Sequence, residues 1–129
     1  MKVLLHVKIT PKDIFIFENK LKEAVGNLYA EDILLIDIDN WSEPDFVNYV
    51  YNIINGAEKI FVYVETISEE TSGVLRKIFE ALIEKKEQVT LIKAGENEVI
   101  QRLLKPLQKQ TYENTDLERM LKGFLQSEG

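Results

Sequence analysis

Cysteine is absent from this chain of 129 residues, and histidine occurs only once, at position 6. Disulfides, thiolate metal sites and a cysteine nucleophile are therefore excluded. A single histidine without cysteine also argues against a zinc site, whose usual ligands are several thiolates and imidazoles. No cofactor is implied by the residue types that remain.

Long apolar runs are missing as well. None approaches the roughly 20 residues that span a bilayer, and the apolar start, MKVLLHVKI, is interrupted by His6 and Lys8 and is too short for a signal sequence. Acidic residues outnumber basic ones, 22 against 16, for a net charge of -6. Because proteins that bind phosphate backbones carry a basic face, this balance argues against nucleic acid. We expect a cytoplasmic protein with neither a membrane nor a nucleic-acid partner.

The sequence has no internal repeat, no low-complexity tract and no linker rich in Pro, Gly or Ser. Its length fits one domain of ordinary size. Hydrophobic residues make up 45% and charged residues 29%, which is typical of a globular protein. We expect a single α/β domain over residues 1–129.

The chain does have a regular alternation of two sequence patterns. Short β-branched runs are separated by longer segments with apolar residues at helical spacing, which predicts βαβ units and a parallel sheet. The predicted strands are Lys2–Ile9, 33–38, 59–65 and 88–93, the last of them at an edge. The predicted helices cover about 10–28, 44–56, 68 or 72 to 86, 97–105 and 116–126.

Right-handed winding of these units gives the strand order 2-1-3-4. The arrangement resembles the flavodoxin-like and Rossmann-like folds, with three αβα layers around a four-stranded parallel sheet. Ligands of such sheets bind beyond the carboxyl ends of the strands, where helix N-termini also point. The candidate pocket for a small molecule or a protein segment is therefore lined by Lys8, Thr10, Asp37, Asp39, Glu65, Thr66 and Ser68.

The second strand ends in two aspartates, in the stretch LLIDIDNW. Strand alternation puts Asp37 and Asp39 on one face, roughly 6 to 7 Å apart, where two carboxylates can hold Mg²⁺. The stretch resembles the first motif of haloacid-dehalogenase-like phosphatases, which implies phosphoryl chemistry with a divalent ion on these two residues. Trp41 stands where that family has Thr or Val, and the family's motif lies on the first strand. The other interpretation is that the aspartates make a strand end polar and begin a turn.

The loop VETISEETSG, residues 64–73, follows the third strand. It lacks the glycine spacing of a P-loop or of a dinucleotide-binding turn, and its glutamates would repel an anion. Capping of the next helix by Ser68 or Ser72 is the favoured interpretation. His6 would have to serve any Ser–His–Asp triad, but no Gly-x-Ser-x-Gly turn is present. We expect His6 to be a hydrogen-bonded residue on a partly covered face of the sheet.

The segment from Asp37 to Leu82 resembles the middle of TIR-type domains. These have a strand and loop, a helix, an apolar strand ending in a small hydroxyl residue, and a serine-containing loop before a helix that bears a glutamate. The resemblance implies an interaction module or an enzyme that attacks NAD or a related nucleoside. The tryptophan expected in the third helix is missing, and Glu80 stands at a different spacing from Ser72.

The last helix carries an apolar stripe that must be buried, either on its own sheet or on a twofold partner. The stripe includes Leu117, Met120, Leu121 and Phe124. Because no complete catalytic constellation is present, the leading hypothesis is a non-catalytic binding or protein-interaction module that forms a homodimer. One alternative is a small enzyme on a nucleotide or phosphate ester, using Asp37, Asp39 and Glu65 with a divalent ion. The other alternative is a TIR-like domain.

Overall fold

The computed structural model describes residues 1–11, 33–67 and 73–126. Within them, all strands pair in parallel and form one sheet in the order β2-β1-β3-β4-β5. The strands are β1 Lys2–Ile9, β2 Ile33–Asp39, β3 Lys59–Thr66, β4 Val89–Ala94 and β5 Thr111–Glu113. The predicted α/β class and the order of the first four strands are confirmed, and the arrangement is consistent with a flavodoxin-like fold.

The prediction of four strands was wrong, because a fifth strand adds beside β4. Leu91 pairs with Thr111 and Lys93 with Glu113, so β4 is not the edge of the sheet. β5 is only three residues long and none of them is buried. Main-chain pairing with β4 defines this strand, and such pairing leaves no apolar pattern in the sequence.

Four α-helices lie in the described ranges: α1 Pro44–Gly56, α2 Arg76–Glu84, α3 Glu98–Leu103 and α4 Leu117–Gln126. Short 3₁₀ turns cover Gly73–Leu75, Lys86–Gln88, Lys105–Gln110 and Asn114–Asp116. α3 ends before Pro106, which has no N–H to continue it. None of the four helices is long and apolar enough to cross a membrane. The helix predicted over 10–28 lies outside the described residues.

Helices cover both faces of the sheet. One face, here called the broad face, packs against α1, α2 and α3. Its strand residues include Val3, Leu5, Val7, Ile60, Val62, Val64 and Leu91, all buried. The opposite face, here called the α4 face, carries the alternate residues Leu4, Phe61, Tyr63 and Ile92. The period of two along each strand separates these sets, as expected for a sheet buried between two layers.

α4 packs on the sheet of its own chain. Leu117, Leu121 and Phe124 are buried there, and Met120 is partly buried beside them. Lys2 strengthens the attachment, since its Nζ donates to the carbonyl of Phe124 at 2.9 Å, near the negative end of the helix. These side chains are therefore enclosed while α4 stays docked. Whether the protein forms a homodimer stays a prediction.

Candidate functional site

Strands β2, β1 and β3 end side by side and bring the predicted polar residues together. Lys8 lies between Asp39 of β2 and Glu65 of β3 in the strand register. His6 lies two residues earlier, between Asp37 and Tyr63. Since Leu4 and Phe61 belong to the α4 face, alternation places all these polar residues on that face, at the carboxyl end of the sheet.

His6 is fully buried between two carboxylates. Its Nε2 lies 3.3 Å from Oε1 of Glu65, within hydrogen-bonding distance. Its Nδ1 lies 3.3 Å from Oδ1 of Asp37 but, among the described residues, makes no hydrogen bond of acceptable angle. The ring also meets Tyr63 edge to face, at 5.1 Å between centroids. His6 is thus a buried, hydrogen-bonded histidine, as expected. From β1 its ring reaches a carboxylate of β2 on one side and a carboxylate of β3 on the other.

The same geometry separates the two carboxylates. Because Nδ1 and Nε2 lie on different sides of the imidazole ring, Asp37 and Glu65 approach His6 from opposite directions. A single ion cannot be reached by both of them together with the ring. Over residues 1–11, 33–67 and 73–126, no group of three or more His, Asp or Glu side chains is placed to hold a metal ion. A magnesium site on Asp37 and Asp39 stays a prediction.

Asp39 closes a turn directly after β2. Its Oδ1 accepts a hydrogen bond from the main-chain N–H of Trp41 at 2.8 Å and one from the hydroxyl of Ser42 at 3.3 Å. The main-chain N–H of Asp39 donates to that hydroxyl at 3.1 Å, and Ser42 N donates back to the Asp39 carbonyl at 3.2 Å. Aspartate and serine favour such turns because their short side chains reach nearby main-chain groups. Ser42 thus serves the turn rather than the start of α1.

Asn40 fastens this turn to the end of β1. Its side chain is buried and pairs with both main-chain groups of Thr10, accepting from the N–H at 3.0 Å and donating to the carbonyl at 3.1 Å. Its own N–H donates to the carbonyl of Lys8 at 3.2 Å. The amide side chain therefore imitates one more residue of the β1–β2 ladder. Sequence reasoning missed Asn40, although a buried amide after a strand needs partners of this kind.

Thr66 and Thr10 make their recorded contacts within the fold, Thr66 through its hydroxyl and Thr10 through its main-chain groups. Both are buried, and the hydroxyl of Thr66 donates to the carbonyl of Ala94 at 3.3 Å. Gly95 passes so close that a Cβ there would collide with the carbonyl oxygen of Thr66, and its φ of 92° disfavours other residues. Ser68 lies outside the described residues. Among the predicted pocket residues described, Asp37 is the one with an exposed side chain.

The TIR resemblance points to Glu80 on α2. This glutamate is exposed, and its Oε1 lies 3.3 Å from Nε of Arg76, one helical turn earlier. An exposed pair at that spacing is a common way for a helix to arrange its charges. Ser72, the other residue of that comparison, lies outside the described residues.

Three exposed aromatic residues follow β2, and we call them the aromatic surface: Trp41, Phe46 and Tyr49. Their exposed fractions are 49%, 38% and 58%. Phe46 and Tyr49 stack with 6.3 Å between ring centroids. The inner stripe of α1 is filled by Val47, Val50 and Ile54. A residue one position before Val47 is rotated by about 100° around the helix, which turns Phe46 outward.

Trp41 is exposed yet held at two points. Besides the bond from its main-chain N–H to Asp39, its indole N–H donates to the carbonyl of Thr10 at 2.7 Å. The carbonyl of Thr10 thus accepts from Asn40 and from Trp41. Through these bonds, the stretch Asp39–Ser42 holds the large side chain of Trp41 in one position. The sequence signal for it was the hydrophobic Trp41 standing beside three turn-forming residues.

A cavity of about 550 Å³ lies on the broad face, where β4 and β5 end against α3 and the turn after it. We call it the edge cavity. The described residues that line it are Lys93, Gln101, Leu104, Lys105, Gln108, Thr111 and Glu113. None of the residues predicted for the pocket at the strand ends is among them.

No protein-family model matches the chain, and no curated protein matches its sequence.

Proposed function

We propose that the protein is a non-catalytic protein-interaction module whose contact surface is the aromatic surface, centred on Trp41. The observation that carries the proposal is that Trp41 is half exposed and yet fixed by hydrogen bonds at both its main chain and its indole ring. A large side chain already ordered in solvent loses little further entropy on binding. Tryptophan and tyrosine are also the residue types that dominate binding energy at interfaces.

The roles of the strand-end carboxylates support a module over an enzyme. One carboxylate oxygen of Asp39 accepts the hydrogen bonds of the turn that carries Trp41, and Glu65 contacts the buried ring of His6. Both carboxylates thereby stabilise the fold. The alternatives are a small nucleotide- or phosphate-ester-processing enzyme with a divalent ion and a TIR-like domain. They remain predictions from the sequence, and the contacts of these residues add nothing to either.

Charge indicates the chemistry of the partner. Glu43 and Asp45 are exposed between Trp41 and Phe46, and the chain as a whole carries a net charge of -6. A partner segment that complements this surface presents an apolar side chain to Trp41 and basic residues around it. We place the module in the cytoplasm, where the partner is another protein or a second copy of the chain.

Selection from a displayed peptide library tests the proposal without a known partner. Peptides selected on the wild-type protein should share an apolar residue near Lys or Arg. Trp41→Ala should weaken their binding by about 30-fold, the cost of losing one interface anchor of roughly 2 kcal/mol. Tyr112→Ala, which removes a similarly exposed aromatic side chain from β5, should leave their affinity unchanged.

Two outcomes count against the proposal. In one, the selected peptides bind Trp41→Ala as well as they bind the wild type. In the other, they lose affinity equally for both variants. Light scattering of the wild type then separates the two classes of partner, because self-association through the aromatic surface would appear as a dimer that Trp41→Ala returns to a monomer. A circular dichroism melt of each variant checks that the fold is retained.

A further inference from the structure

We propose that the edge cavity binds a small organic anion through its carboxylate or phosphate group. This site is separate from the aromatic surface and does not depend on the function proposed for it. Its volume of about 550 Å³ falls within the roughly 300 to 1,000 Å³ typical of small-molecule sites. It also lies at the carboxyl ends of β4 and β5, the end of a parallel sheet where ligands bind.

The walls of the cavity come from three parts of the fold. Lys93 and Glu113 are register partners at the ends of β4 and β5. Gln101 and Leu104 come from α3 and the residue after it, and Lys105 and Gln108 from the following 3₁₀ turn. Leu107 of that turn is fully buried in the core of the broad face, which anchors the segment. The cavity is therefore built on elements that pack against the sheet.

The charges of the cavity are what indicate an anion. Lys93 and Lys105 both line it, and within the described part of the chain neither takes part in an ion pair. The chain as a whole has six more acidic than basic residues, so these two ammonium groups run against its overall charge. The amides of Gln101 and Gln108 can donate further hydrogen bonds to oxygen. Ammonium and amide donors together suit carboxylate or phosphate oxygens.

Two other groups of the cavity limit how much negative charge a bound ligand can carry. The hydroxyl of Thr111 donates to the carbonyl of Leu107 at 2.7 Å, so it presents only lone pairs to a ligand. Glu113 adds an exposed carboxylate to the lining, in register with Lys93. The cavity therefore favours one compact anionic group over a molecule charged along its length. Leu104 offers an apolar wall to the remainder of the ligand.

Titration of ¹⁵N-labelled protein with inorganic phosphate, glycerol phosphate and succinate tests the site. At least one probe should give saturable shifts at amides around residues 93 and 101–113, beyond those caused by sodium chloride at the same ionic strength. Lys93→Gln and Lys105→Gln should each weaken that probe about tenfold or more, the usual effect of removing a charged donor. Phosphate and succinate distinguish the two anionic groups.

Lys109→Gln is the matched control, because Lys109 is an exposed lysine of the same 3₁₀ turn that does not line the cavity. Its affinity should equal that of the wild type. The proposal is overturned if no probe gives saturable shifts, or if Lys109→Gln weakens binding as much as Lys105→Gln. It is also overturned if both cavity variants bind like the wild type. Unchanged spectra of the unliganded variants show that each is folded.

Discussion

The indole N–H of Trp41 donates to the main-chain carbonyl of Thr10 at 2.7 Å, joining the turn after β2 to the end of β1. The side chain of Asn40 donates to the same oxygen. One carbonyl at the end of the central strand therefore positions both the polar support of the turn and the aromatic residue that it exposes. Together with the bonds that Asp39 accepts from Trp41 and Ser42, this relation ties the second aspartate of LLIDIDNW to the exposed Trp41, and it leads to the first two predictions.

Asp39→Ala should lower the free energy of unfolding by about 1 to 2 kcal/mol, because the N–H of Trp41 and the hydroxyl of Ser42 lose their acceptor. Asp39→Asn keeps an oxygen at that position and should stay within about 0.5 kcal/mol of the wild type. Urea denaturation measures both values. If the Ala variant is as stable as the wild type, the hydrogen bonds that Asp39 accepts in this turn do not stabilise the protein.

Asn40→Ala should cost about 2 to 3 kcal/mol, since it leaves the buried N–H of Thr10 without its acceptor. The control is Asn52→Ala, an exposed position on α1, where the change should be within about 0.5 kcal/mol. Thermal melts of the two variants beside the wild type make the comparison. If the two asparagines prove equally dispensable, the side chain of Asn40 does not extend the β1–β2 ladder.

Gly95→Ala should destabilise the protein by about 3 kcal/mol, because its φ of 92° disfavours alanine and the new methyl group collides with the carbonyl oxygen of Thr66. Gly123→Ala is the opposite case. It lies inside α4 with nothing within 4 Å of a new Cβ, so it should stabilise by about 1 kcal/mol. If the melting temperatures of both variants rise, or if both fall, the structure is contradicted at one of the two glycines.

The contacts of His6 predict unequal coupling to its two carboxylate neighbours. A double-mutant cycle of His6→Ala with Glu65→Ala should give a coupling energy of about 1 kcal/mol, because Nε2 is within hydrogen-bonding distance of a mostly buried carboxylate. The cycle with Asp37→Ala should give less than about 0.5 kcal/mol, since Asp37 is half exposed and makes no hydrogen bond to Nδ1. Chemical denaturation at one fixed pH measures both cycles. A larger coupling to Asp37 would reverse the assignment.

The strands of the sheet were predictable because their chemistry is repetitive. β1 matched its predicted limits, β2 and β3 each extend one residue further than predicted, and β4 is shifted by one residue at both ends. Each places apolar side chains on both faces, and burial between two helical layers requires that pattern. β5 was not predictable, because three residues held by main-chain pairing leave no such signal. The common face of Asp37 and Asp39 also followed from alternation, whereas the placement of Glu65 on that face depends on the strand register.

What those side chains contact was not predictable in the same way. Alternation fixes the direction of a side chain, whereas a hydrogen bond depends on elements that are distant in the sequence. Thr10 and Asn40, whose pairing gives Asn40 its role, are 30 residues apart in the sequence. The turn at Asp39 is local, and the interpretation that the aspartates begin a turn is confirmed for Asp39. The edge cavity depends on β5 and on the end of α3, so it could not be inferred once β5 was missed.

The position of β1 has a consequence for synthesis on the ribosome. Lys2–Ile9 is translated before β2 and β3 but forms the middle of the finished sheet, with β2 on one side and β3 on the other. α4 is translated after all five described strands of that sheet. Until then, Leu4, Phe61 and Tyr63 of the nascent chain lack their cover from Leu121 and Phe124. A ribosome that stalls shortly before residue 117 would hold a sheet on which these apolar side chains lack their contacts with α4, and such exposure attracts chaperones and promotes aggregation.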